Sequence, residues 1–169
     1  MPCSCTLPAE LYPDGEEWGP ILWKILHGIA ERVGTTGTPL YEADERRALT
    51  KWFYAVGKTI PCPSCKEHYE VYLKENPIND SIKTLPMSEL RPYVKRWWWE
   101  LHNWVNESLK KPLFDYETLT DTYKGARIRA AMNGLDVPMK RAIRVRGQQL
   151  LGYTEFRNSC IMLLSLYGA

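Results

Sequence analysis

The stretch "KTIPCPSCKEHY", residues 58–69, sets Cys62 and Cys65 three apart behind Pro61, with His68 three residues further on. Two thiols at this spacing can ligate a metal, staple a fold, or close a small disulfide that is opened and remade in a reaction. As a zinc site, Cys62, Cys65 and His68 supply three ligands, and only His102 stands as a plausible fourth; structural zinc usually draws on two spaced pairs. A thioredoxin-type pair needs a strand before it and a helix after it, whereas the preceding "ALTKWFYAVGKT" reads as helix. The third reading is a redox pair in an all-helical frame. At the start of a helix, backbone N–H groups and the positive end of the dipole favour the Cys62 thiolate. A pair that oxidises other thiols must then pass two electrons on, and a flat redox cofactor is the natural sink.

A place for such a cofactor is written on two segments. Gly19, Trp23 and His27 follow at four-residue intervals on one helix face, and His102, Asn106 and Lys110 repeat that interval on another, with Asn103 and Trp98 or Trp99 beside them. Glycine allows close approach to the backbone. One tryptophan–histidine stripe is more often core than cofactor site. Two such stripes together with a redox-type CxxC favour the site.

The elements that must position these groups are helices. "EEWGPILWKILHGIAERVG" carries apolar residues at three-to-four spacing, with Asp14 or Gly15 as cap and Pro20 assigned to the first turn. A second helix runs over "EADERRALTKWFYAVGKT", a third from the cysteine pair to before Pro77, and a fourth over "SELRPYVKRWWWELHNWVNESLKK". No segment alternates with period two long enough for a strand. The fold class expected is therefore all-α, a four-helix bundle with a further helical C-terminal extension. Three regions follow: residues 1–16 a flexible arm, 17–116 the bundle, 117–169 the extension. In the last helix of the extension, Thr154 is the expected cap, Phe156, Cys160, Leu163, Leu164 and Tyr167 form its apolar face, and Cys160 is expected to be a buried thiol.

The chain of 169 residues is 44% apolar, with seven tryptophans, ten tyrosines and a net charge of +2. That balance gives no reason to expect a nucleic-acid partner. Residues 117–169 hold eight basic and four acidic side chains, and a solvated face is the commoner explanation for such a stretch. The sequence shows no secretory leader and no apolar run long enough to span a bilayer. Five cysteines, an odd count without an export signal, argue against a secreted disulfide scaffold.

At "WGPILWKILH", "PCPSCKEHY" and "HNWVNESLKKPLFDY", covering residues 18–116, the chain resembles the Erv/ALR family of FAD-linked sulfhydryl oxidases. The resemblance implies a helical bundle that binds FAD, forms a homodimer, and oxidises dithiols to disulfides with O2 as acceptor, releasing H2O2. Carried over by motif, Cys65 would stand beside the flavin and Cys62 would exchange with incoming thiols. Gly19, Trp23 and His27 would line the cofactor from the first helix, and His102, Asn103, Val105, Asn106, Lys111 and Tyr116 would hold it from the other side. No resident metal is implied. The partner expected is a thiol-containing protein or a thioredoxin-like relay protein, with Cys3 and Cys5 a CxC shuttle between it and Cys62. The setting is the mitochondrial intermembrane space or, for a virus-encoded member, host cytoplasm or virion. One departure stands out: many members carry a cysteine three residues before the "HN" histidine, and here that residue is Trp99, which leaves the "WWW" cluster to hold the bundle. The competing class is a non-enzymatic helical interaction module with a CxxC-based zinc site.

Overall fold

The computed structural model describes residues 12–169, and among them every regular element is helical. The eight α-helices are α1 (Gly15–Ala30), α2 (Glu42–Thr59), α3 (Pro63–Glu75), α4 (Asn79–Thr84), α5 (Met87–Ser108), α6 (Leu119–Tyr123), α7 (Ile128–Arg144) and α8 (Leu150–Leu166). Single 3-10 turns precede α2 and α6. Residues 15–108 thus hold five helices where the periodicity predicts four. The extra one, α4, is six residues long and buries only Ile82, too short to leave a periodic signal.

Local chemistry explains the helix starts. Asp14 caps α1, its carboxylate accepting from the N–H groups of Glu16 and Glu17 at 2.9 and 3.1 Å. Residues 12–16, expected in the loose arm, are therefore anchored or helical. Cys3 and Cys5 lie outside the described residues. Pro20 sits one turn deeper in α1 than the sequence suggests. Pro63 opens α3, where its missing N–H costs nothing.

Two antiparallel pairings build the molecule. Along α1 and α7, Gly28 meets Ile128, Gly134 meets Ile21, and Glu17 pairs with Arg141. Along α2 and α8, Lys58 meets Gly152 and pairs with Glu155, while Glu45 accepts from the Tyr167 hydroxyl at 2.9 Å. α8 starts at Leu150, so Thr154, the expected cap, is inside the helix. The start has no side-chain cap, and Gly152 in the first turn lies against Lys58.

The core is one cluster that draws on every helix except α6. Trp52, Phe53, Trp97, Trp98, Tyr69 and Tyr72 interlock at its centre, with ring centroids 4.8–6.2 Å apart and mostly edge-to-face. Phe156, Cys160, Leu163 and Leu164 of α8 belong to the same cluster.

Candidate functional site

The connector from α2 to α3 delivers the cysteine pair. Cys62 is the N-cap of α3, its sulfur accepting from the Cys65 N–H at 3.3 Å, and the two residues are joined as a disulfide with Cα atoms 5.2 Å apart. Cys62 is 4% exposed, whereas Cys65 is half-buried and packs against the core. The other described cysteine, Cys160, is fully buried, and that burial pushes its thiol far above the ordinary range.

The two stripes come together across α1 and α5. Trp23 stacks flat on His102, with centroids 4.0 Å apart and planes 9° apart, and His27 Nε2 lies 3.0 Å from His102 Nδ1. His27 also stacks on Tyr123, and His102 on Phe114. Burial, then His102 and Lys95, lowers the pKa of His27 to about 3; burial, then Lys111, lowers that of His102 to about 4. Both rings are thus neutral near pH 7, so one donates to the other's lone pair. A Cβ built on Gly19 would meet nothing within 4 Å. Flat rings, neutral imidazoles and an open backbone face suit a planar ligand such as an isoalloxazine or adenine.

α5 closes with a Schellman motif. The Lys111 N–H reaches the Asn106 carbonyl at 2.8 Å, the Lys110 N–H reaches that of Glu107 at 3.0 Å, and Lys110 has φ 55°. This turn carries Lys111 back to the start of α1, where it pairs with Glu16.

Asn103 has another occupation. Its amide donates to the Phe114 carbonyl at 2.8 Å, and its oxygen accepts from the Phe114 N–H at 2.7 Å. The Trp99 indole N–H donates to the same carbonyl at 2.7 Å, and Trp99 meets Tyr116 edge-on. Asn103 and Trp99 therefore pin the segment that follows α5. Val105 packs against the core and Asn106 is half-buried on the His102 face. Trp97 and Trp98 are core residues, while Trp99 does the pinning.

Periodicity found the Gly19–His27 stripe and His102 with Asn106, but Lys110, expected on the same face, lies past the end of α5. It missed Tyr123 and the roles of Tyr12 and Gln148 described below, which carry no periodic or motif signal, and it gave no role to Phe114, although that residue stands within the quoted motif. A cleft of about 510 Å³ lies on another face of α5, lined by Trp99, Trp104, Phe114 and three carboxylates, Glu100, Glu107 and Asp115. Its acidic rim repels a diphosphate. Among the described residues no three His, Cys, Asp or Glu side chains converge as a metal site. His68 meets Trp104 edge-on, and His102 is paired with His27. The arrangement expected of a thioredoxin-type site fails too: the cysteine pair follows a helix and an extended connector, with no strand among the described residues.

Comparison with known proteins gives the same direction. The chain is 34% identical over 116 residues to the mitochondrial FAD-linked sulfhydryl oxidase ERV1 of Saccharomyces cerevisiae, covering 68% of this chain and 54% of that protein. It is 30% identical over 107 residues to the FAD-linked sulfhydryl oxidase of African swine fever virus (isolate Tick/Malawi/Lil 20-1/1983), covering 63% and 80%. To the putative FAD-linked sulfhydryl oxidase 347L of Invertebrate iridescent virus 6 it is 29% identical over 100 residues, covering 59% and 86%. It spans about half the length of the yeast and rice relatives and most of the viral ones. No solved structure matches. The model of the Erv1 / Alr family matches residues 20–124, which take in the cysteine pair, the stacked histidines and the pinned turn: the chain belongs to the Erv1 / Alr family.

Proposed function

We propose that this protein is an FAD-dependent sulfhydryl oxidase that forms disulfides in thiol-containing proteins. The observation that carries the reading is the Cys62–Cys65 disulfide at the N-terminus of α3, in a family member whose α1 and α5 bring Trp23, His27 and His102 into one stack. Bound FAD would supply a two-electron acceptor beside Cys65 and pass the electrons to O2, giving H2O2.

The chain's own residues do the rest. A substrate thiolate attacks Cys62 Sγ, forming a mixed disulfide and releasing Cys65 as thiolate; a second substrate thiol resolves the mixed disulfide and restores the Cys62 thiolate. The N–H of Cys65 and the start of α3 stabilise that thiolate. Trp23, His27 and His102 would hold the flat parts of the cofactor, and Gly19 would let it approach α1. Lys111 would meet its phosphates, with Asn106, Val105 and Tyr116 completing the wall. Asn103 would act through the Phe114 segment rather than by touching the cofactor, because both ends of its amide are already used. Cys3 and Cys5 remain candidates for a shuttle, and a homodimer remains the proposed assembly.

The test is the visible spectrum and turnover of the purified protein. A flavin band released on denaturation and dithiothreitol oxidation lost in Cys65→Ser, with the band retained, would support the reading. A colourless protein, or undiminished turnover in that variant, would overturn it.

A further inference from the structure

The redox pair is held from outside the family-matched residues. Two backbone carbonyls stand just ahead of Cys62, those of Thr59 and Pro61, and each is taken by a side chain from elsewhere. Gln148, in the turn between α7 and α8, donates from Nε2 to the Thr59 carbonyl at 2.7 Å. The Tyr12 hydroxyl donates to the Pro61 carbonyl and lies 3.1 Å from the Gly147 carbonyl of the same turn. A hydroxyl has one proton for two acceptors, so Tyr12 straddles the redox connector and the turn. A second Schellman motif aims this turn. The Gly147 N–H reaches the Ala142 carbonyl and the Arg146 N–H that of Ile143, both at 2.9 Å, with Arg146 at φ 60°.

Thr59 ends α2, so its carbonyl needs some partner in any case. Chain-end satisfaction does not account for the whole arrangement. Ile60 and Cys62 are extended, both with ψ 116°, and the alternate carbonyls of Thr59 and Pro61 accept from Gln148 and from Tyr12, which is itself tied to the Gln148 turn at Gly147; alternate carbonyls along an extended segment are the acceptors that a strand edge offers a partner. These contacts fix the connector immediately ahead of a residue that must be attacked, and Cys62 itself is 4% exposed.

We propose that the α7–α8 turn and Tyr12 form a displaceable gate over the redox pair, and that the substrate is a cysteine carried in an extended peptide whose N–H groups take over the Thr59 and Pro61 carbonyls. This rests on Cys62 being the exchanging sulfur, as proposed above. In the gated step the substrate Sγ–Cys62 Sγ bond forms as the Cys62–Cys65 bond breaks. The electron pair leaves on Cys65, and the step involves no net oxidation. Gln148 and Tyr12 imitate the donors of the peptide they give way to, so opening exchanges hydrogen bonds instead of losing them.

The test follows the first opening of the disulfide, without oxygen and before the flavin band bleaches: the full-length protein is mixed anaerobically with thiol, quenched with iodoacetamide and weighed. One hydrogen bond fewer on the gate should make Gln148→Ala open about fivefold faster with dithiothreitol. Tyr167→Phe, which loosens α8 at Glu45 far from the gate, should leave the rate as it is. A two-cysteine peptide should open the wild-type pair about tenfold faster than the same peptide N-methylated on both sides of its attacking cysteine. An unchanged or slower rate in Gln148→Ala, equal acceleration in Tyr167→Phe, or equal rates for the two peptides would each overturn the gate. A protein that binds no flavin yet shows these rates would fail the oxidase proposal and keep the gate.

Discussion

His27 and His102 are the residues whose protonation the fold opposes most clearly. Their folded pKa values, about 3 and about 4, lie below the ordinary histidine value near 6.5. Between those limits the unfolded chain binds protons that the folded chain does not, so this contribution is complete above pH 6.5 and is lost as pH falls towards 4. The loss is at most about 1.4 kcal/mol per pH unit for each histidine. Thermal melts from pH 7 to 5 should show this slope, and it should be about half as steep in His27→Gln; an equal slope in that variant would contradict the assignment. Asn103 makes a different residue-scale case. Its loss leaves the Phe114 N–H and carbonyl short of a partner, so Asn103→Ala should cost about 1–3 kcal/mol in a denaturant melt. Trp99 shares the carbonyl, so Asn103→Ala and Trp99→Phe should combine non-additively. Additive losses would show that the two do not act on one segment.

At the scale of elements, the ends of helices decide what stands near the site. Lys110 takes the left-handed position at the end of α5, where glycine has no Cβ penalty. Lys110→Gly should therefore raise the unfolding free energy by about 0.5–1 kcal/mol, and a lower melting temperature would contradict this account of the turn. Gly152 is the opposite case. A Cβ there would stand 2.7 Å from the Lys58 carbonyl oxygen, so Gly152→Ala should cost about 1–3 kcal/mol as α8 is pushed off α2; a neutral melt would mean that the close approach relaxes freely. These examples show what the sequence made legible. The cysteine pair, the Gly19–His27 stripe and His102 with Asn106 were readable because periodicity puts them on helix faces without reference to the rest of the chain; Lys110, expected to continue the second stripe, has already left the helix. A lysine or arginine in a left-handed turn carries no such mark. Nor does an asparagine whose partners are eleven residues away, or a helix start with no side-chain cap, which is why Thr154 looked like a cap.

For the whole molecule, α7 and α8 are a second layer on the helices that carry the site. α7 runs along α1, and α8 runs along α2 from Tyr167 at Glu45 to Gly152 at Lys58. Phe156, Leu163 and Leu164 are at most 1% exposed, and burial of each is worth about 1.5–3 kcal/mol. Truncation after Glu117 should accordingly abolish cooperative unfolding or cause aggregation, as judged by sizing and calorimetry. A soluble fragment that melts like the full chain would show that the layer is dispensable. No described helix is long and apolar enough to cross a membrane; α8 buries Phe156, Leu163 and Leu164 and leaves Leu150, Leu151, Ile161 and Met162 exposed. The whole arrangement serves one claim, that electrons enter at Cys62 and leave through Cys65 into a bound flavin. Anaerobic titration of the purified protein with dithiothreitol, followed at the flavin band, tests that claim most directly. The wild-type flavin should bleach within the time of turnover, while Cys65→Ser should keep its flavin oxidised under the same titration. Equal bleaching in the two proteins would mean that electrons reach the flavin without the cysteine pair, and the account would be wrong.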